Sequence, residues 1–142
     1  MRLHRWLPLA ATIFLAAAPA FAQSPIRADL GPPWLVDGKI QWPPNDGCAD
    51  AEKPATLPAG MKIDRYGSEN GSYFATPGTP YAQRALPYDP AKLPYAIYIV
   101  KKPLAVLECR IAAWFGEPGG GEQFKASEPA AQLKAEGVIE NQ

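Results

Sequence analysis

Residues 113–124 form the stretch of the chain whose composition most directly suggests chemistry. Two large aromatic rings, Trp114 and Phe115, precede the three consecutive glycines Gly119–Gly121, and the amide of Gln123 follows them. Glycines let a backbone approach a ligand closely or adopt positive φ, and aromatic rings offer flat apolar surfaces. The pattern predicts a ligand-binding loop, although a glycine triplet is equally typical of a structural hairpin loop. The lysine and hydroxyl of a phosphate-binding P-loop are missing.

Histidine, a frequent general base and metal ligand, occurs once, at His4. A basic start, the apolar run Leu7–Ala18 and a small-residue cleavage pattern ending at Ala22 predict that residues 1–22 are a secretory signal peptide. The apolar run is too short to span a membrane, so we expect the mature protein to be secreted or periplasmic and free of the membrane. Without its signal the chain has about 120 residues, one ordinary domain, and no histidine. This excludes serine-histidine-acid triads, cysteine-histidine dyads and histidine zinc sites.

Two cysteines, Cys48 and Cys109, remain after removal of the signal. Export to an oxidising compartment predicts a disulfide between them, with two buried free thiols as the alternative. Basic and acidic residues balance at 14 each and form no basic run, so we expect no nucleic acid partner. The acidic residues are scattered, and no pair has the spacing that predicts a two-carboxylate glycosidase or a metal cage.

These residues must be positioned by a fold whose elements are short. Residues 23–56 are rich in proline and turns, which predicts an extension that Trp34 and Trp42 hold against the domain. Residues 57–142 alternate β-branched and aromatic runs with proline and glycine turns. The predicted strands are Lys62–Tyr66, Ser72–Ala75, Tyr95–Lys101, Leu104–Leu107, Ile111–Phe115, Gln123–Lys125 and Val138–Glu140.

One short helix is expected near the carboxyl end. Ser127 can cap it, Pro129 suits its first turn, Leu133 faces the core and Gly137 ends it. The sequence therefore predicts an α+β fold, mainly antiparallel β, as a compact β-sandwich-like single domain with few short helices.

Several motifs recur in a characteristic order between Leu57 and Ile139. They include Asp-Arg-Tyr-Gly at residues 64–67, Gln-Arg-Ala-Leu-Pro at residues 83–87 and the tryptophan and triple-glycine loop. In this order the chain resembles the catalytic domain of the tuberculosis necrotizing toxin (TNT) family. The resemblance implies a secreted NAD(P) glycohydrolase that yields nicotinamide and ADP-ribose. It further implies that NAD or NADP is the substrate, that no cofactor is needed, and that an immunity protein is a candidate partner.

The resemblance also implies roles for individual residues. Arg65 and Arg84 would hold the substrate and its phosphates, and Gln123 would be the central catalytic residue. The remaining substrate-binding candidates are Tyr66, Phe74, Tyr73, Trp114, Gly120 and Gly121. Planar guanidinium groups suit a pyrophosphate, and aromatic faces suit a cationic pyridinium ring. Without the family pattern the arginines would be read as ion-pair partners, Arg65 with Asp64, and the aromatic residues as core.

Three positions depart from the family pattern. Ala113 replaces a usual proline, Glu117 replaces a usual glutamine, and Cys109 stands where glycine is common. Glu117 would add negative charge beside an anionic ligand and reduce its affinity. The alternatives are therefore a weakly active or inactive NAD-binding module, or a surface interaction module that uses residues 23–56. An ADP-ribosyl transferase is less favoured because no acceptor-activating glutamate follows the pattern.

Overall fold

The computed structural model describes residues 24–142, and the predicted signal peptide with His4 lies outside them. Seven strands form one antiparallel sheet in the spatial order β3-β7-β8-β5-β4-β6-β9. A two-stranded hairpin, β1 and β2, lies in the amino-terminal segment. The strands are β1 Leu35–Val36, β2 Lys39–Ile40, β3 Lys53–Leu57, β4 Lys62–Tyr66, β5 Tyr73–Ala75, β6 Tyr95–Val100, β7 Leu104–Arg110, β8 Glu122–Lys125 and β9 Ile139–Asn141. This confirms the α+β, mainly antiparallel class, with one main sheet in place of two stacked ones.

The predicted strand Ile111–Phe115 is wrong. Strand β7 continues without a break through Arg110, and Ile111 makes only an isolated bridge to Cys48. Phe115 has a φ of 54° and Gly116 a φ of 73°, so the chain turns where the apolar run suggested a strand. Left-handed backbone cannot continue a β ladder.

One face of the sheet carries the hydrophobic core. Ile63, Phe74, Tyr98 and Phe124 are each at most 3% exposed and lie in one cluster with the helix residue Leu133. Side chains alternate between faces along a strand, so the neighbours of these residues point to the opposite face. That second face carries Asp64 and Tyr66 of β4 and Gln123 and Lys125 of β8, whereas Arg65 leaves β4 on the face of Ile63.

The helix α1, Ala130–Ala135, closes the core side. Pro129 is its N-cap and no side chain caps it, so the capping role predicted for Ser127 is wrong. Gly137 ends the helix as predicted, with a φ of 68°. Its N–H donates to the Lys134 carbonyl and the Val138 N–H donates to the Leu133 carbonyl, which is a Schellman ending.

The amino-terminal segment is part of the domain. Cys48 and Cys109 form the predicted disulfide, which joins this segment to β7. The backbone adds hydrogen bonds from Ala112 N to Gly47 O and from Ala49 N to Arg110 O, each 2.8 Å long. Strand β3 begins at Lys53, so the sheet extends upstream of the boundary expected at residue 57. Between residues 24 and 142 no helix reaches the length and apolarity needed to cross a membrane.

Candidate functional site

A cleft of about 620 Å³ lies between the second face of the sheet and the amino-terminal segment. Six of the residues predicted from the sequence line it: Arg65, Tyr66, Tyr73, Arg84, Trp114 and Gln123. The segment before β3 contributes Trp42, Pro43 and Asp46 to the opposite wall. The cleft is large enough for a nucleotide-sized molecule.

Arg84 forms a buried ion pair at the cleft floor. Its Nη1 and Nη2 donate to the two carboxylate oxygens of Asp64, both at 2.7 Å, and its Nε donates to the Thr79 carbonyl at 3.1 Å. Asp64 is completely buried and Arg84 is 7% exposed. The partner of Asp64 is thus Arg84, not the adjacent Arg65. Most of the guanidinium's capacity to bind a ligand phosphate is committed to this carboxylate.

Aromatic rings cover the ion pair. The Arg84 guanidinium lies 5.0 Å from the ring centroid of Tyr66, and that ring packs against Tyr81 and Tyr95 at 4.9 and 4.6 Å. The Tyr95 hydroxyl donates to Asp64 at 2.8 Å. Burial and this hydrogen bond raise the pKa of Tyr95 to about 12, so the phenol stays protonated at neutral pH. Tyr66 is therefore fixed from below as a wall of the cleft.

Arg65 has a different environment. Its Nε donates to the Ser68 carbonyl at 2.7 Å and its Nη1 donates to the Tyr73 carbonyl at 2.9 Å. A Cβ at Gly71 would lie 1.7 Å from Nη2, so the guanidinium fits only because residue 71 is glycine. Among residues 24–142 no carboxylate forms a salt bridge with Arg65. Burial lowers the pKa of Arg65, yet an arginine remains charged at neutral pH.

Gln123 is held by acceptors from the amino-terminal segment. Its Nε2 donates to the Asp46 carbonyl at 3.1 Å and lies 3.9 and 3.8 Å from the sulfurs of Cys48 and Cys109. A carbonyl and two disulfide sulfurs can only accept, so this side of the amide must be the NH₂ group. The Oε1 atom is then directed away from them and can accept a hydrogen bond from another group.

The turn that holds Gln123 has an unusual backbone. Asn45, Asp46 and Gly47 have φ values of 55°, 53° and 81°, three left-handed residues in succession. Non-glycine residues in this region cost about 1–2 kcal/mol each and persist where surrounding contacts enforce them. Lys125 forms an ion pair with the Asp46 carboxylate and holds the pKa of that carboxyl below its usual value. The Tyr73 hydroxyl also reaches this carboxylate, at 3.4 Å.

The glycine run is a structural brace, which corrects the binding role expected for Gly120 and Gly121. The Gly120 N–H donates to Ile111 O at 2.8 Å, and the Gly121 N–H donates to Gln83 O at 3.1 Å. A Cβ on Gly121 would lie 2.9 Å from Gln83 O, and one on Gly119 would lie 2.5 Å from Ala112 O. The glycines therefore allow backbone segments to pack together. Neither Gly120 nor Gly121 lines the cleft.

Phe74 is also a structural residue. It is 3% exposed, lies in the core cluster and packs edge-on against Tyr98 at 5.9 Å. Its pairing with the core residue Phe124 places it on the sheet face opposite Gln123. Phe74, which was predicted to bind the substrate, therefore does not line the cleft, whereas its neighbour Tyr73 does.

Glu117 forms an ion pair with Arg27 of the amino-terminal segment. Its carboxylate accepts a hydrogen bond from Arg27 Nη1 at 2.9 Å, and Arg27 Nη2 also donates to the Phe115 carbonyl at 3.2 Å. Trp34 packs on Trp114 at 4.9 Å, further attaching the upstream segment to the loop. Arg27 also pairs with Asp29, so the three groups together keep one net negative charge. The reduced ligand affinity expected from Glu117 therefore stays a prediction.

Three functional candidates were not predicted from the sequence. The sequence did not predict the buried pair of Asp64, because its partner Arg84 lies 20 residues away. Asp46 and Trp42 lie in a segment whose proline and turn content predicted only an extension. The one available signal was the turn motif at residues 45–47, which is typical of left-handed backbone. Within residues 24–142 no group of three or more histidine, cysteine or carboxylate side chains could hold a metal ion.

Fold and cleft together define a small α+β domain with a candidate ligand-binding site that has aromatic walls and one arginine, Arg65, with no carboxylate partner among residues 24–142. A family model described as tuberculosis necrotizing toxin (TNT) matches residues 56–141. The chain belongs to this family.

Known proteins resemble it to different degrees. The conidial surface nicotinamide adenine dinucleotide glycohydrolase nadA of Aspergillus fumigatus is 41% identical over 110 residues, covering 64% of this chain and 46% of the relative. The chain therefore spans less than half of that relative's length. The tuberculosis necrotizing toxin, solved in complex with its immunity factor IFT, shares the fold with a TM-score of 0.59 and 24% identity, over 72% of this chain and 63% of that one. Tse6, solved in complex with Tsi6, has a TM-score of 0.45 and 15% identity, over 65% and 72% of the two chains.

Proposed function

We propose that the protein is an NAD(P) glycohydrolase. It would cleave the N-glycosidic bond between nicotinamide and ribose, with water attacking the ribose carbon and nicotinamide leaving with the bonding electron pair. The products are nicotinamide, a proton and ADP-ribose from NAD, or ADP-ribose 2′-phosphate from NADP. The observation that carries the proposal is the convergence of Arg65, aromatic walls and an oriented Gln123 in one cleft of a TNT family member. The name of the Aspergillus relative supports the same reaction.

Arg65 is suited to the pyrophosphate. Its charge is not neutralised by a carboxylate of the described chain, and two of its N–H groups are fixed on backbone carbonyls. A partly desolvated guanidinium of fixed orientation binds phosphate oxygens strongly. Arg84 would act indirectly, because its pair with Asp64 supports the Tyr66 ring from below. The two arginines of the family motifs would thus have different roles, Arg65 in binding the pyrophosphate and Arg84 in supporting the cleft wall.

Gln123 is suited to stabilise the reacting ribose. Its Nε2 is committed to the Asp46 carbonyl, which leaves Oε1 as an acceptor for a ribose hydroxyl or for the attacking water. A fixed dipole needs no reorganisation as positive charge develops on the ribose. Nicotinamide leaves as a neutral molecule, so the reaction needs neither a histidine nor a strong acid. We accordingly propose that NAD or NADP is turned over without a resident metal or organic cofactor.

Nicotinamide release tests the proposal. The purified oxidised protein is incubated with NAD and with NADP, and free nicotinamide is quantified by chromatography. We expect release well above buffer, with Gln123→Ala reduced by at least tenfold at unchanged thermal stability. A folded protein that releases no nicotinamide from either dinucleotide would refute the assignment. Label transferred to protein rather than to free ADP-ribose would indicate a transferase.

We further propose that the protein acts outside the cytoplasm that makes it and that residues 1–22 direct export. The Cys48–Cys109 disulfide and the conidial surface location in the relative's name support this. Sequencing the amino terminus of the secreted protein tests the predicted cleavage after Ala22. The solved complex of the tuberculosis toxin with its immunity factor motivates an immunity protein as a partner. Such a protein should abolish nicotinamide release when it is added in equimolar amount.

A further inference from the structure

Trp42 is the most exposed large hydrophobic residue of the described chain, at 56%, and it lines the cleft. It lies upstream of residues 56–141, the part that the family model covers. A single exposed aromatic residue on a surface needs no explanation. An exposed aromatic residue that is fixed at the wall of a cleft is different, because its apolar surface is kept in water at a place where a ligand can cover it.

The backbone around Trp42 is anchored on both sides. Upstream, the Gln41 carbonyl accepts a hydrogen bond from Trp114 Nε1 at 2.8 Å. Downstream, the Gly47 carbonyl accepts from Ala112 N at 2.8 Å, directly before the Cys48 disulfide. Between these anchors stand Pro43 and Pro44, whose rings restrict the backbone. The position of the indole is thus largely set before any ligand binds.

Neighbouring rings orient the indole without covering it. Trp42 meets Phe115 edge-on, at 5.7 Å and 87°, and meets Tyr88 at 6.2 Å and 58°. Neither contact is a parallel stack, and more than half of the Trp42 surface stays accessible. Preorganised rings with an open surface are efficient partners for a planar heterocycle, since little side-chain entropy is lost on stacking.

We propose that Trp42 forms one wall of a subsite for a planar base, so that the segment upstream of the TNT core contributes directly to substrate binding. This rests on the proposed function, in which the ligand carries two such bases, adenine and nicotinamide. Stacking against Trp42 is the chemistry common to both. The adenine half and the nicotinamide half are distinguished by experiment.

Binding is measured with ADP-ribose by calorimetry and with nicotinamide by NMR titration, using the wild type, Trp42→Ala and Trp42→Phe. We expect Trp42→Ala to weaken the ligand whose base it contacts by about tenfold, and Trp42→Phe to stay within about threefold of the wild type. Val36→Ala is the matched control, because Val36 is exposed in the same segment and does not line the cleft. Trp42→Leu replaces Trp42→Ala if the latter fails to fold.

Turnover gives a second readout. In NAD hydrolysis, Trp42→Ala should raise KM about tenfold and change kcat little, with the melting temperature within a few degrees of the wild type. The proposal is overturned if Trp42→Ala binds both probes as the wild type does, if Trp42→Phe is as weak as Trp42→Ala, or if the wild type binds neither probe. If the wild type binds a probe in a Trp42-dependent way but releases no nicotinamide from NAD, the glycohydrolase assignment is refuted and the subsite remains supported.

Discussion

The disulfide should control both the stability of the domain and the geometry of Gln123. Cys48 and Cys109 are 61 residues apart in sequence, so in the chain-entropy model their bond contributes about 4 kcal/mol. For a domain of this size the double variant Cys48→Ser/Cys109→Ser should melt about 10–20 °C lower. The bond also lies beside the left-handed turn whose Asp46 carbonyl holds the Gln123 amide. Its loss lets this turn relax to an unstrained backbone.

We therefore expect kcat for nicotinamide release to fall about tenfold, measured at a temperature where the variant is fully folded. Leu133→Ala is the matched control, because this helix residue lies in the core and its truncation costs about 2–5 kcal/mol. It should lower the melting temperature by a similar amount and leave kcat intact. If the cysteine variant and Leu133→Ala keep the same kcat, the proposed link between disulfide and Gln123 is wrong. Unchanged stability of the cysteine variant would contradict the entropic argument itself.

Three further outcomes follow from the site. Arg84→Ala should lower the free energy of unfolding by about 3–5 kcal/mol in chemical denaturation, because it leaves the buried Asp64 carboxylate unpaired. Arg65→Ala should instead raise KM for NAD at near-normal stability. Equal stability losses would contradict a structural role for Arg84 and a binding role for Arg65. Gln123→Glu should lose most of its activity above the pKa of the new carboxyl group, because the carboxylate cannot donate to the Asp46 carbonyl. A pH-independent kcat equal to that of the wild type would exclude a role for the Gln123 amide in catalysis. Gly119→Ala should destabilise the fold by several kcal/mol more than Gly120→Ala. Both glycines have positive φ, but only a Cβ at residue 119 would clash with backbone atoms. Equal melting temperatures of the two variants would show that Gly119 is not needed for this backbone packing.

Strand positions were predictable because β periodicity is local. Strand β4 runs from Lys62 to Tyr66, as its pattern predicted, and β6 ends one residue short of the expected Lys101. The run Ile111–Phe115 failed because its apolar residues serve a turn and the cleft wall, and apolar composition does not report φ. An apolar side chain can be buried equally well from a strand or from a turn, so a run of apolar residues does not distinguish the two.

The site was predictable only where a motif carried it. The face on which Phe74 lies depends on which side of the sheet receives the helix, and a shift of one residue reverses that assignment. The commitment of Arg84 to Asp64 depends on a contact between the 3-10 helix Tyr81–Arg84 and β4, which spacing alone does not specify. The contribution of Asp46 depends on the disulfide bringing a distant turn to Gln123. Each of these facts arises from tertiary packing.

The exposed connection at residues 49–51, between Cys48 and β3, has a further consequence if the protein is exported as we propose and meets proteases there. A single cut there would leave the amino-terminal piece attached through Cys48 to Cys109. The nicked protein would keep its cleft wall as long as the bond stays oxidised. Subsequent reduction would free a peptide carrying Trp42 and Asp46, and re-oxidation could then restore the site only by a bimolecular encounter. Nicking would thus convert a reversible thiol reaction into a lasting loss of the site.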